Sequence, residues 1–281
     1  MDNGIKQKEF LFTVADFERI RTILYNHSGI KLNESKMEMV YSRLARRLRA
    51  VGLKNFHDYL SLVESKQDGE WEVFINSMTT NLTSFFREPH HFPLLKAHLQ
   101  SLPSRRPLRI WCSAASTGEE PYTIAMTAID AFNSYKPPVE IIATDIDTSV
   151  LNKAKTGVYP LERVEKIRQD DLKRYFLKGS GSNANHVKVR KELCDLISFR
   201  QLNLLDSNWP VSGTFDVIFC RNVMIYFDKD TQYKILKRFA PLLEPHGLLF
   251  AGHSESLHHA ADLFKLRGQT VYELAAQSRR P

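Results

Sequence analysis

Two hydrophobic patterns succeed one another along the chain, first a helical repeat and then alternating short apolar runs and helices. Residues 13 to 28 predict a helix ending at Gly29, and Asn33 is a candidate cap for a second helix carrying Met37, Val40, Tyr41, Leu44, Leu48 and Val51 at helical spacing. Phe56, Tyr59, Leu60 and Val63 mark a third helix, and Trp71, Phe74, Ile75 and Met78 a fourth. Residues 1–102 therefore read as a small all-α N-terminal domain. Pro103-Ser104-Arg105-Arg106-Pro107 has linker composition and is taken as the boundary.

Beyond it the pattern changes. Arg109-Ile110-Trp111-Cys112 is apolar, Ser113-Ala114-Ala115-Ser116-Thr117-Gly118 is small, and an amphipathic helix starts at Glu119, which reads as strand, tight turn and helix. Val139–Asp145 reads as a second strand ending in an acid, followed by a helix from about Thr148 to Thr156. Phe215–Cys220, Leu248–Ala251 and Thr270–Leu274 supply further strands, with a helix from Lys229 to Ala240. The interval before Asn203 is too long for one crossover. It holds the alternating run His186–Arg190, a turn at Gly179–Asn183 and the strand-like Leu196–Phe199, so a small antiparallel β insertion is expected at about 158–201. The expected fold is α/β and Rossmann-like over residues 103–281, with that insertion, preceded by the helical domain.

Composition narrows the class. The 281 residues are 43% hydrophobic and 25% charged, which is globular, and no apolar run is long enough to span a bilayer. Met1–Lys6 lacks the plan of a secretory signal, so a cytoplasmic protein without membrane insertion is expected. Cys112, Cys194 and Cys220 are odd in number, widely spaced and set in apolar contexts, which predicts reduced, mostly buried thiols, with no disulfide framework and no metal site. The net charge is +7, and its local concentration is Arg43, Arg46, Arg47 and Arg49 on the second helix, off its apolar stripe. That face either docks an acidic partner or is simply solvated.

Candidate chemistry gathers at strand ends. The small-residue turn lets backbone amides at a helix N-terminus approach a ligand closely, and Asp145 occupies the position that hydrogen-bonds ribose hydroxyls in dinucleotide-type folds. Asn203 and Arg221-Asn222 also follow strand-like runs, so an open sheet would bring them to the same edge. Thr79–Pro89, polar, β-branched and aromatic, resembles a binding loop.

Four segments carry a family resemblance: Asn81-Leu82-Thr83-Ser84-Phe85-Phe86-Arg87, Ala115-Ser116-Thr117-Gly118-Glu119-Glu120-Pro121-Tyr122, Ala143-Thr144-Asp145-Ile146-Asp147 and Phe219-Cys220-Arg221-Asn222-Val223-Met224-Ile225-Tyr226-Phe227. With the closing Ala251-Gly252-His253-Ser254-Glu255, they resemble, in order and spacing, the CheR family of bacterial chemotaxis receptor methyltransferases. The resemblance implies an S-adenosylmethionine-dependent protein-glutamate O-methyltransferase that forms methyl esters on the cytoplasmic methylation helices of chemoreceptors and releases S-adenosylhomocysteine. It implies that Arg87 and Tyr226 are catalytic and that Asp145 binds the ribose. Glu120 would bind the methionine amino group, although Glu119 stands beside it and leaves that assignment open by one position. Asn203 and Asn222 would lie on the adenine side, Asn81 and Thr83 would close over the cofactor, and Leu204, Arg221 and Arg87 would also contact it. The arginine helix becomes a docking face for acidic receptor helices, and the insertion a site for a receptor C-terminal peptide or merely a protective edge hairpin. Phe85, Phe86 and Tyr226 are expected to wall a water-poor pocket.

A substrate glutamate is already anionic at neutral pH, so attack on a sulfonium methyl needs alignment and desolvation but no general base. Two other readings stay open. A methyltransferase for nucleic acid is disfavoured by the lack of an Asn/Asp-Pro-Pro-Tyr type motif, and a non-catalytic cofactor-sensing adaptor has no need of Arg87 and Tyr226. Nothing in the sequence suggests an obligate oligomer, so a monomer is expected.

Overall fold

The computed structural model describes residues 8–66, 69–103 and 106–278. The reading of Met1–Lys6, and Ser104-Arg105 of the linker reading, lie outside them. The chain divides into two compact units, residues 1–80 and 81–281.

The first unit contains α1 (Val14–Ser28), α2 (Met37–Val51), α3 (Phe56–Ser65) and α4 (Glu70–Met78). Thr13 and Asp16 form a reciprocal capping box on α1, and Asn55 caps α3 through Asp58 N–H. Asn33 caps no α-helix directly, because a 3-10 turn at Glu34–Lys36 precedes α2. Val40, Leu44 and Leu48 of α2 are buried with Tyr59, Leu60, Phe74 and Met78.

The arginines of α2 differ from the expected solvated row. Arg43 reaches inward, its Nη1 donating to the carbonyls of Ser77, Met78 and Thr79 (3.2, 3.0 and 2.8 Å), so it caps the C-terminus of α4. Arg47 makes a fork onto the buried Glu70 carboxylate (3.0 and 2.7 Å), which also accepts from Tyr59 Oη. The physical reason is that α4 brings an acid and a set of orphan carbonyls to this face. Arg49 pairs with Glu9 in the open, and Arg46 is exposed with no partner among the described residues.

The second unit runs α5 (His91–Ser101), β1 (Leu108–Cys112), α6 (Glu119–Phe132), β2 (Val139–Asp145), α7 (Thr148–Thr156), β3 (Val158–Pro160), α8 (Gln169–Tyr175), β4 (Phe176–Lys178), β5 (His186–Val189), α9 (Lys191–Cys194), β6 (Ile197–Gln201), β7 (Phe215–Cys220), α10 (Lys229–Phe239), β8 (Leu243–Ala251), β9 (Phe264–Gly268) and β10 (Val271–Leu274). The seven-stranded sheet has the order β6-β2-β1-β7-β8-β10-β9. Strands β6 to β8 are parallel, and β10 is antiparallel to both β8 and β9. Side chains alternate across it: Ile110, Cys112, Val217 and Phe219 face the core shared with α5 and α6, while Trp111, Ile218 and Cys220 face the core shared with α10. The strand order reverses between β1 and β7, which makes the carboxyl ends of these two strands the expected ligand crevice.

Two boundaries correct the sequence reading. Phe85, Phe92, Leu95 and Leu99 are buried with Leu108, Ile124 and Ala128, so residues 81–102 belong with the sheet, and Pro103–Pro107 connects α5 to β1 within one unit. The antiparallel insertion is a separate three-stranded sheet of order β3-β5-β4. It does not extend to residue 201, because β6 pairs parallel with β2, Ile197 opposite Ile141, at the edge of the main sheet. No helix among the described residues is long and apolar enough to cross a membrane.

Candidate active site

The turn after β1 is held from the sheet side by backbone bonds. Ser113 N–H donates to Phe219 O (2.9 Å) and Ala115 N–H to Thr144 O (2.8 Å). Ser116, left-handed at φ 47°, donates its N–H to Asp145 Oδ2 at 2.8 Å. Gly118 sits at φ 98°, where a Cβ would lie 2.7 Å from the Tyr159 hydroxyl and 2.8 Å from Ala154 Cβ, so no larger residue fits.

Asp145, at the end of β2, also accepts Asp147 N–H on its other oxygen (3.0 Å). Burial pushes its carboxyl up to about 6, against the pull of the N–H groups of Asp147, Ser116 and Ile146. Each oxygen keeps a lone pair for a further donor. Asp147 caps α7 through Ser149 and Val150 N–H (2.9 and 3.2 Å) and accepts Asn81 Nδ2 at 2.8 Å. Asn81 O in turn accepts Ser116 Oγ (3.2 Å), so the 81–88 segment is stitched to the turn.

The two glutamates opening α6 face different ways. Glu119, fully buried, accepts Thr117 Oγ1 (2.6 Å) and Arg163 Nη2 (2.5 Å). Glu120 accepts Cys112 Sγ (3.3 Å) and Arg221 Nη1 (2.8 Å), which turns it along the strand ends. Burial raises the Glu120 carboxyl above its ordinary range despite Arg221. Arg221 also donates from Nη2 to Arg87 O (2.5 Å) and lies 3.3 Å from Glu88. Its Nε is buried with no hydrogen-bond acceptor among the described residues.

Glu88 is a hub that sequence reading missed. It accepts Asn222 Nδ2 (3.2 Å) and His253 N–H (3.1 Å); burial raises its carboxyl, but Arg221 and these donors outweigh that and leave it below the ordinary range. Ligand atoms of Glu88, His90 and His91 lie within 4.8 Å of one another. A cation there would abut the Arg221 guanidinium, which already uses this carboxylate. Asn222 takes a left-handed φ of 58° and donates its N–H to the buried Glu255, which also accepts from Met224 and Gly252 N–H. At Gly252 a Cβ would stand 2.5 Å from Asn222 Nδ2, so this close approach requires glycine. Asn203 is buried at the end of β6, folding its Oδ1 onto Leu205 N–H (3.0 Å), and Leu204 is buried with Trp111 and Phe239.

Arg87 donates from Nη1 to Leu82 O (2.8 Å), its one hydrogen bond among the described residues besides those of its backbone. Its charge reaches Glu120. Thr83 is half-buried in the same segment. Tyr226 is half-buried in a 3-10 turn after β7, and its hydroxyl has no partner among the described residues. Phe85 packs edge-on against Tyr159 and Phe176 (5.0 and 5.4 Å), and Phe86 against Phe92 (5.5 Å), contacts that anchor the segment. The missed Asp147 had a legible signal, an acid placed before Thr148-Ser149 as a helix cap. Glu88 and Arg163 had none, since their partners are distant in sequence.

Two buried acids, Asp145 at the end of β2 and Glu120 at the start of α6 against the last residue of β1, suit a ligand carrying a ribose diol and an ammonium, both of which S-adenosylmethionine has. A family model described as "CheR methyltransferase, SAM binding domain" matches residues 81–273, and one described as "CheR methyltransferase, all-alpha domain" matches residues 15–79. The chain belongs to the CheR family. It is 54% identical over 270 residues to chemotaxis protein methyltransferase 2 of Pseudomonas aeruginosa, covering 95% of this chain and 96% of the relative. It is 53% identical over 262 residues to the chemotaxis protein methyltransferase of Escherichia coli, covering 93% and 91%. The two CheR matches meet where the chain divides, at residues 80 and 81. As a CheR protein it is an S-adenosylmethionine-dependent methyltransferase of chemotaxis.

Proposed function

We propose that the enzyme methylates glutamate side chains on the methylation helices of chemoreceptors, producing γ-methyl esters. The observation that carries this reading is Arg87, a guanidinium beside the strand ends that uses a single side-chain hydrogen bond, to Leu82 O, and has no carboxylate partner among the described residues. Its open fork suits a substrate carboxylate. The cofactor supplies an electrophilic methyl on a sulfonium, and its transfer to a carboxylate oxygen gives a thioether and an ester with no proton to move.

In this reading Asp145 holds the ribose hydroxyls and Glu120 the methionine ammonium. Arg221 fixes Glu120 in place. Asn203, Leu204 and Asn222 border the adenine, and Asn81 and Thr83 close over the cofactor. Arg87 aligns the substrate carboxylate, and the Tyr226 hydroxyl orients it or faces the sulfonium. Too tight a grip by Arg87 would stabilise the attacking carboxylate in the ground state, so its role is positioning the nucleophile. Arg46, with the exposed Arg49, remains as the cationic part of α2 that an acidic receptor helix can meet. A free edge of the three-stranded insertion is suited to a receptor C-terminal peptide added as a strand, which would tether the enzyme without touching the methylation site.

The test is Arg87→Ala. Turnover on receptor falls by about a hundredfold or more while the S-adenosylhomocysteine dissociation constant changes by less than about threefold, the pattern of a group that acts on the second substrate. Wild-type turnover in this variant removes Arg87 from the mechanism.

A further inference from the structure

The cofactor turn is gripped from two sides, and only one of them belongs to the sheet. On the sheet side Asp145 takes Ser116 N–H. On the other side the antiparallel insertion delivers two side chains. Tyr159, on β3 and 4% exposed, donates its hydroxyl to Thr117 O at 2.7 Å. Arg163, three residues after β3 ends, donates Nη2 to the fully buried Glu119 at 2.5 Å, and Glu119 in turn accepts the hydroxyl of Thr117 at 2.6 Å. Both contacts converge on Thr117 and its neighbours, the last residues before α6.

With Ala154 Cβ, the Tyr159 oxygen closes the space a side chain at Gly118 would need, so the ring is pressed close to the turn. Its other edge is braced by Phe85 at 5.0 Å and Tyr122 at 6.2 Å. A β3 strand of three residues, paired only with β5, needs neither of these polar contacts to complete its ladder. Without Arg163, Glu119 would be a buried carboxylate at the positive end of α6 with one hydroxyl for company.

We infer that Tyr159 and Arg163 of the insertion are positioning residues for cofactor binding, holding the Thr117–Glu119 end of the turn so that its backbone amides keep the spacing the cofactor needs. They act through the turn and touch no reacting atom. The inference rests on the reading that this turn carries the cofactor.

The experiment measures S-adenosylhomocysteine affinity by calorimetry, melting temperature, and KM and kcat for Tyr159→Phe, Arg163→Met and Arg163→Lys. Tyr159→Phe weakens binding about fivefold and Arg163→Met about tenfold, raising the KM for S-adenosylmethionine in step while kcat at saturation stays within about twofold; Arg163→Lys recovers part of the loss. Leu172→Ala, a half-buried position on α8 of the same insertion, lowers the melting temperature without moving the affinity. Wild-type affinity in folded Tyr159→Phe and Arg163→Met overturns the inference, as does an equal loss of affinity in Leu172→Ala. Asp145→Ala, measured in parallel, tells the two readings apart: if it too binds normally, the turn is not the cofactor's seat, whereas weakened binding in Asp145→Ala alone refutes only the clamp.

Discussion

At the scale of single residues, the site works by placing charge where burial would ordinarily remove it. Asp145 is the sharpest case, since burial lifts its carboxyl to about 6 and two backbone N–H groups keep it usable as an acceptor above that pH. If Asp145 holds the ribose as proposed, the ionised form is the one that accepts the hydroxyls, and because its pKa is raised, binding is full well above pH 6 and is lost as pH falls through about 6. At pH 5 about a tenth of the carboxyl remains ionised, and S-adenosylhomocysteine should bind about tenfold more weakly than at pH 7.5. Asp145→Asn should abolish that pH dependence, and a flat profile in the wild type would contradict the assignment. Asp145 was legible in the sequence because it ends an apolar strand. Glu88 was not, because its importance lies in Arg221 and His253, which reach it only after the sheet has formed.

At the scale of elements, the strand and helix pattern read from periodicity is largely the one observed, with α7 and β2 at their expected residues. The failures have physical causes. Leu196–Phe199 reads like any short strand, and periodicity cannot say which sheet it joins; pairing with β2 decides that. Strand β9, Phe264–Gly268, alternates apolar residues with lysine and arginine, a period-2 signal only four residues long that the sequence reading passed over. Helix α2 makes the same point, since its arginines look equivalent in sequence and are not. Arg47→Ala strands the buried Glu70 and should destabilise the protein by about 2 kcal/mol, seen as a lower melting temperature at unchanged receptor KM. Arg46→Glu should leave melting unchanged and raise the receptor KM severalfold, more at low salt than at high. The reverse pattern would mean that docking runs through Arg47.

At the scale of the whole molecule, the two-unit division at residues 80 and 81 was hidden by composition: Pro103–Pro107 looks like a linker, yet α5 before it is buried on the sheet through Phe92, Leu95 and Leu99. What the second unit assembles is a parallel-sheet crevice with buried acids near its strand ends, a guanidinium, Arg87, that has no carboxylate partner among the described residues, and a phenol, Tyr226, whose hydroxyl has no partner among them. Such an arrangement suits a nucleophile that arrives already charged. The most direct measurement of that claim is transfer of a labelled methyl group from S-adenosylmethionine to membranes containing a cognate chemoreceptor, followed by mild base. Label released as methanol, and abolished by Arg87→Ala, is the predicted result. Label that enters the receptor but resists base, or none with the cofactor demonstrably bound and several receptors tried, would contradict carboxyl methylation.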